Sequence, residues 1–233
     1  MPAAGDILTA IVLQSGKVFV APGLFEPNVV TTQAELYDPV SESWSVIGGL
    51  IQPFGSATLL ASGKVLVVNG LSDAPQLYDP ATGVWRRIGM NTTIRGQHTA
   101  TLLPSGKVLV VGGVGLDTQI PAEIYDPTTD MWTPTSPMTT PHREGADATL
   151  LPFGKVLVAG GGSGPPGPRA VDSVDLYDPA TARWTASGVM ATARTFFTAT
   201  LLPSGALLFA GGFGVAEGLF ASAEIYAPSC FSR

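Results

Sequence analysis

The sequence predicts an all-β fold, a five-bladed β-propeller whose last blade lacks its outer strand. Two repeating series and one compositional trait carry this. Turn glycines stand at Gly16, Gly63, Gly106, Gly154 and Gly205, and tyrosines at Tyr37, Tyr78, Tyr125, Tyr177 and Tyr226. Both series recur about every 41 to 52 residues, the period of a four-stranded propeller blade. Trp44, Trp85, Trp132 and Trp184 each follow their tyrosine by seven positions. Charged residues make up only 13 % of the chain, while 28 glycines and 20 prolines punctuate short apolar runs, the mark of many tight turns between strands.

The third repeat shows the elements in order. His98 to Leu103 reads as a short strand, A. Pro104-Ser105-Gly106-Lys107 is a hairpin turn in which Gly106 takes positive φ at little steric cost. Val108 to Val111, strand B, is apolar at consecutive positions and should be buried on both faces. Gly112-Gly113 ends it. Ala122 to Tyr125 is strand C, stopped by Asp126-Pro127 because proline cannot donate to the ladder. Trp132 opens strand D. A lone four-stranded sheet cannot bury two apolar faces, whereas radially stacked sheets can. A flat solenoid is the alternative, and the period suits a closed ring better. Each tryptophan then acts as a wedge between blades, removing ~150–250 Å² from water, worth roughly 4–6 kcal/mol before entropy. The repeats span about 1–48, 49–90, 91–138, 139–190 and 191–233, one propeller domain over the whole chain.

The segment Thr99-Ala-Thr-Leu-Leu-Pro-Ser-Gly-Lys-Val-Leu-Val-Val-Gly-Gly113, with Ala122-Glu-Ile-Tyr-Asp-Pro127 and Trp132, resembles the Kelch motif in its bacterial and galactose-oxidase central-domain form. The resemblance covers nearly the whole chain. It implies a Kelch-type propeller, a fold that serves enzymes, adaptors and glycan binders alike. Some copies depart from the pattern. Gly-Gly is Pro22-Gly23 in the first and Asn69-Gly70 in the second; the fifth has Ala227-Pro228 for Asp-Pro and Ala206 for the turn lysine. Arg233 stands where the fifth tryptophan would, and Met1 aligns near Met190, after the fourth tryptophan. Strands A, B and C are thus counted five times and strand D four times.

Composition narrows the function. A net charge of −6 without a Lys/Arg cluster argues against nucleic acid and against anionic membrane. The lone Cys230 excludes an intrachain disulfide framework. Met1 to Ala10 has neither a basic region nor a long apolar core, so no secretory signal is read there, and the compartment stays undetermined. Thr195 to Ala216 is uncharged and long enough to span a bilayer, but Pro203-Ser204-Gly205 interrupts it, and it reads as two strands and a turn.

Few motifs carry chemistry. The Ser-Gly-Lys turns lack the upstream glycine and following helix of a phosphate loop. Glu35, Glu123, Asp175 and Glu224, with Gln76 in the second repeat, stand two before each tyrosine. A repeated polar residue suggests a repeated structural task rather than a metal ring. Copper-oxidase chemistry of the galactose-oxidase kind needs two histidines, two tyrosines and a Tyr–Cys crosslink. This chain has only His98 and His142, its tyrosines all occupy strand C, and the resemblance does not carry that activity over. No metal and no cofactor is expected.

One constellation stands out. Arg95, Arg143 and Arg194 lie eleven residues before their turn glycines, with Gly5 and Gln52 at the equivalent positions. They should surround one mouth of the channel, where a planar five-donor guanidinium suits carboxylates and sugar hydroxyls. Hydrogen bonding to neighbouring loops is the competing role, and Glu144 and Asp147 are the nearest counter-charges. The B–C loops share that face, and the apolar residues Leu24, Phe25, Phe213, Leu219 and Phe220 stand on them. The expected binding residues are therefore Arg95, Arg143, Arg194, Gln52, His98, Phe25, Phe213 and Phe220. Two functions follow, beside a third reading of the chain as a structural repeat unit of a longer protein. One is a binding module for a protein, glycan or small polar ligand; the other is an isomerase- or cyclase-type enzyme with His98 or Glu144 as acid–base groups. The open edge of the fifth blade also leaves room for self-association.

Overall fold

The repeated apolar runs form strands because consecutive β-branched residues and tight glycine turns leave the chain little else to do. The computed structural model describes residues 7–22, 33–48, 55–68, 74–89, 93–115, 120–140, 143–162, 169–214 and 218–228. Among them every regular element is a strand. The first sheet comprises β1 (Ile7–Val12), β2 (Val18–Pro22), β3 (Ala34–Asp38) and β4 (Ser43–Gly48). The second comprises β5 (Ser56–Leu59), β6 (Val65–Val68), β7 (Gln76–Asp79) and β8 (Val84–Arg87). The third holds β9 (Thr99–Leu102), β10 (Val108–Val111), β11 (Glu123–Asp126) and β12 (Met131–Pro134). The fourth holds β13 (Asp147–Leu150), β14 (Val156–Ala159), β15 (Ser173–Asp178) and β16 (Arg183–Val189). Each is an antiparallel meander in chain order. The fifth sheet has three strands, β17 (Thr198–Leu201), β18 (Leu207–Ala210) and β21 (Ala223–Tyr226). Its B–C connection, expected as a plain loop, folds into a small hairpin, β19 (Phe213–Gly214) with β20 (Gly218–Leu219).

The chain divides into two compact units, Met1–Gly96 with the first two sheets and Gln97–Arg233 with the other three. In the first unit, Phe19 and Ala21 pack with Val65, Val67 and Tyr78. In the second, β14 shows what a consecutive apolar strand does. Val156 and Val158 join Leu109, Val111 and Tyr177, while Leu157 and Ala159 join Leu207 and Phe209. The fourth sheet is therefore sandwiched, and β14 is buried at all four positions. In β18 only Leu207 and Phe209 are buried. The uncharged stretch around Pro203 forms β17, a turn and β18, as its interruption predicts. No helix among the described residues is long and apolar enough to cross a membrane.

Register follows the repeat. In the first four sheets each strand-C tyrosine lies opposite the tryptophan of the same sheet, as in Tyr125↔Trp132 and Tyr177↔Trp184, and the four ring pairs have centroids 4.9 Å apart. Trp85 and Trp184 also reach the preceding sheet. Trp85 Nε1 donates to the Ile47 carbonyl at 2.9 Å, and Trp184 Nε1 to Thr135 Oγ1 at 3.1 Å. At the opposite end, the turn lysine clasps the aspartate that ends strand C in Lys17–Asp38, Lys64–Asp79, Lys107–Asp126 and Lys155–Asp178, at 3.0–3.2 Å. The fifth sheet has alanine at both positions, Ala206 and Ala227.

Candidate functional site

The segments leading into β13 and β17 are anchored by buried arginines. Arg143 is 0 % exposed. Its Nη1 donates to the carbonyls of Gly160 and Ser173, both at 2.9 Å, and its Nη2 reaches Asp175 Oδ2 at 2.9 Å. Asp175 also accepts from the Thr139 hydroxyl and from the Thr140 N–H at 3.2 Å. Burial pulls the Arg143 pKa down, opposed by the Asp175 carboxylate. Arg194 repeats the arrangement: Nη1 donates to Gly211 O at 2.8 Å and Ser222 O at 3.2 Å, and Nη2 lies 3.2 Å from Glu224 Oε1. Its Cζ stands 5.2 Å from the centre of the Phe220 ring.

This corrects one expectation: the counter-charges of Arg143 and Arg194 are Asp175 and Glu224, two before their tyrosines, not Glu144 and Asp147. Arg95, Arg143 and Arg194, expected around the channel mouth, are all buried, and the hydrogen bonds of Arg143 and Arg194 are of the competing, loop-holding kind. Burying a guanidinium requires that its donors be satisfied internally; the Nη groups of Arg143 and Arg194 turn to strand C and the end of strand B, and Arg143 Nε donates to the Thr140 carbonyl, while the buried Arg194 Nε has no partner among the described residues.

The arginine backbone explains the Gly-Gly pairs. The Arg143 carbonyl accepts from Gly113 N at 3.3 Å, and the Arg194 carbonyl from Gly161 N at 2.9 Å. A Cβ added at Gly112 would stand 2.5 Å from Arg143 O, and one at Gly160 2.5 Å from Arg194 O. Both glycines also have positive φ, so no other residue fits where adjacent sheets approach this closely.

Two residues beyond each arginine the chain turns into the left-handed region, at Gln97 (φ 58°), Gly145 (φ 63°) and Phe196 (φ 53°). These residues bond in sequence. Gly145 N donates to Gln97 O at 3.1 Å, and Phe196 N to Gly145 O at 2.8 Å. Each non-glycine left-handed residue costs about 1–2 kcal/mol. Phe196 is nevertheless 54 % exposed, and a Cβ at Gly145 would stand 2.7 Å from its ring. Thr195 adds three links: its hydroxyl donates to Glu144 O at 2.6 Å, and its backbone exchanges bonds with Phe213 at 3.0 and 2.8 Å. Phe213 pairs with Leu219 across the small hairpin. Phe196, Phe213 and Leu219, all exposed, are thus carried by one hydrogen-bonded backbone network together with Glu144.

Burial pushes the Glu144 carboxyl above its usual range, and no other cause opposes it. Asp147 is raised by burial too, but accepts from Ala199 N at 3.3 Å and Thr149 Oγ1 at 3.1 Å, which offsets part of the cost. His98 is buried just before β9. Phe220 is half-buried against Arg194. Gln52, Phe25, His142 and Cys230 lie outside the described residues. Among the described residues no cluster of three or more His, Cys, Asp or Glu is placed to hold a metal ion. Leu219, read from the sequence as an apolar residue of the fifth B–C loop, is exposed there; Phe196 was not foreseen, and its one visible signal is an aromatic where the fourth repeat has Gly145.

No protein-family model and no curated protein matches the sequence. Solved structures do. A fungal alcohol oxidase of the AA5 family, in complex with copper, aligns with a TM-score of 0.59 at 18 % identity over 99 % of this chain and 66 % of its own, so the chain spans just under two thirds of that protein's length. YjhT aligns with a TM-score of 0.70 at 15 % identity over 92 % of this chain and 79 % of its own. At these identities the likeness establishes the fold, a five-bladed Kelch-type β-propeller, whose last blade is three-stranded among the described residues.

Proposed function

We propose that the protein is a binding module whose contact surface is the exposed set Phe196, Phe213 and Leu219 beside the half-buried carboxylate of Glu144. The observation that supports it is the strained, hydrogen-bonded backbone that holds Phe196 54 % exposed. A fold that only needed to close this turn has glycine available, as at Gly145. Strain of this kind collects where a side chain must be presented. Aromatic faces stack on sugar rings or on apolar side chains, and a carboxylate accepts hydroxyl or amide hydrogens, so the ligand class is a glycan or a protein segment. The buried arginines set the height of this surface rather than touch the ligand.

The test is a thermal-shift screen of glycans and peptides, followed by titration of the best ligand against Phe196→Gly and Phe213→Ala. Loss of binding in both, with folding intact, supports the reading; unchanged affinity removes it. A second reading, an isomerase- or cyclase-type enzyme using the same surface, rests on Glu144, half-buried among the exposed Phe196, Phe213 and Leu219, whose carboxyl is shifted upward by burial, the direction a general acid requires. It requires turnover that Glu144→Gln abolishes while ligand binding persists.

A further inference from the structure

Among the described residues, the fifth sheet ends on a strand, β21, whose outer edge is unpaired. In sheets one to four, strand C is covered by a strand D whose tryptophan faces the strand-C tyrosine. Bonds just beyond the ladders set the phase: Ile88 N donates to Pro75 O and Thr135 N to Ala122 O, both carbonyls three residues before the tyrosine. Alternation then turns the residue one before the tyrosine toward strand D as well. In β21 these outward residues are Ala223 and Ile225, and Ile225 is 68 % exposed.

The site for the missing tryptophan is partly built. The residues three after Trp44 and Trp132 are acceptors for the next sheet's indole: Ile47 for Trp85 and Thr135 for Trp184. The corresponding residue of the fourth sheet is Ser187, and no fifth tryptophan approaches it. Instead the Tyr226 hydroxyl donates to the Ser187 carbonyl and lies 3.2 Å from Ser187 Oγ. Residue seven after Tyr226 is Arg233, which cannot supply an apolar wedge with a single ring N–H.

We propose that the β21 edge docks an extended, tryptophan-bearing segment of another polypeptide, which pairs antiparallel with Ala223–Tyr226, sets its tryptophan opposite Tyr226 and takes over the Ser187 acceptor. The occupant is specified by the four internal copies: a short strand with Trp at its second position, followed in three of the four by a small or β-branched residue, as in Arg183-Trp184-Thr185-Ala186. Main-chain bonds supply the pairing and the indole pocket the selectivity. Tyr226 releases Ser187 when the indole enters.

The experiment titrates the full chain with a fluorescently labelled peptide of the sequence of residues 182–189 and reads anisotropy. The expected result is saturable binding, weakened at least about tenfold by replacing the peptide's Trp with Ala. Binding is lost when the amide of its Thr, the residue that would face Ile225, is methylated; this arm leaves the protein untouched. In the protein, Ile225→Pro removes one outward N–H and abolishes binding, whereas Phe196→Gly, on the other proposed surface, leaves it unchanged. Absence of binding, or equal binding by the methylated peptide, overturns the proposal. So does a concentration-dependent dimer in sedimentation that Ile225→Pro dissolves, since the occupant would then be a second copy of this chain.

Discussion

At the scale of single residues, this protein places its costliest groups where a neighbouring element compensates them. Arg143 and Asp175 are both essentially buried, 0 % and 1 % exposed at the side chain. A pair of this kind adds little net stability over an apolar substitute, but breaking it strands a charge. Arg143→Ala is therefore expected to cost about 3–5 kcal/mol in urea unfolding. The double variant Arg143→Met/Asp175→Leu should recover much of that loss. Arg194→Ala should cost less than Arg143→Ala, because Glu224 is 16 % exposed at the side chain and water can solvate it. Phe196 behaves in the opposite sense. Phe196→Gly removes a left-handed strain of about 1–2 kcal/mol and adds chain entropy to the unfolded state of about 0.5–1 kcal/mol. The melting temperature should stay level or rise slightly, while the proposed ligand contact disappears. A clear fall in melting temperature would show that the ring packs rather than presents itself.

At the scale of the element, each complete sheet is a meander closed twice: by a tyrosine–tryptophan pair in the ladder and by a Lys–Asp clasp between its two turns. The clasp has a readable pH dependence. Asp126 titrates at about 2, held down first by the Thr128 hydroxyl and then by Lys107. A carboxylate with a depressed folded pKa stabilises above its unfolded value and loses that contribution as pH falls toward the folded one. Asp126→Asn should thus lower the melting temperature at pH 7, and the difference from the wild type should vanish between about pH 4 and pH 2. The fifth sheet lacks both halves of the clasp. Ala206→Lys with Ala227→Asp should restore it and raise the melting temperature by at most about 2 °C, because exposed pairs are weak. Either change alone should do nothing. The sheets were legible in the sequence because turn glycine, tyrosine and tryptophan recur at spacings set by strand length. The arginine clips were not, because Asp175 and Glu224 stand 32 and 30 residues from their arginines, and only the strand-C fold brings them together. The left-handed turn at Phe196 was also hidden, since φ is not written in an aromatic residue.

At the scale of the whole molecule, the question is whether five sheets behave as one cooperative domain. Two compact units are distinguished, each with its own buried clusters. Independent domains are usually joined by a longer, polar linker. The sequence has none at the boundary. From Trp85 to Gly106 is 21 residues, against 19 from Trp44 to Gly63, 22 from Trp132 to Gly154 and 21 from Trp184 to Gly205. The join at Gly96 is thus the same length as the joins inside each unit, and Arg95 just before it is buried as completely as Arg143. We expect a single unfolding transition. The tryptophans allow a direct test, two to each unit. Trp44→Phe/Trp85→Phe leaves Trp132 and Trp184 to report the second unit, and the reciprocal pair leaves the first unit to report itself. Each variant is destabilised by its own lost packing, so the comparison is made within a variant, between tryptophan fluorescence and far-ultraviolet circular dichroism, which averages over all strands. Coincident urea midpoints in both variants would establish one cooperative domain. A fluorescence transition that precedes or trails the dichroism in either variant would divide the chain at Gly96, and the repeats would then be coupled only within their own unit, as in an array whose nearest-neighbour interactions fail at one interface.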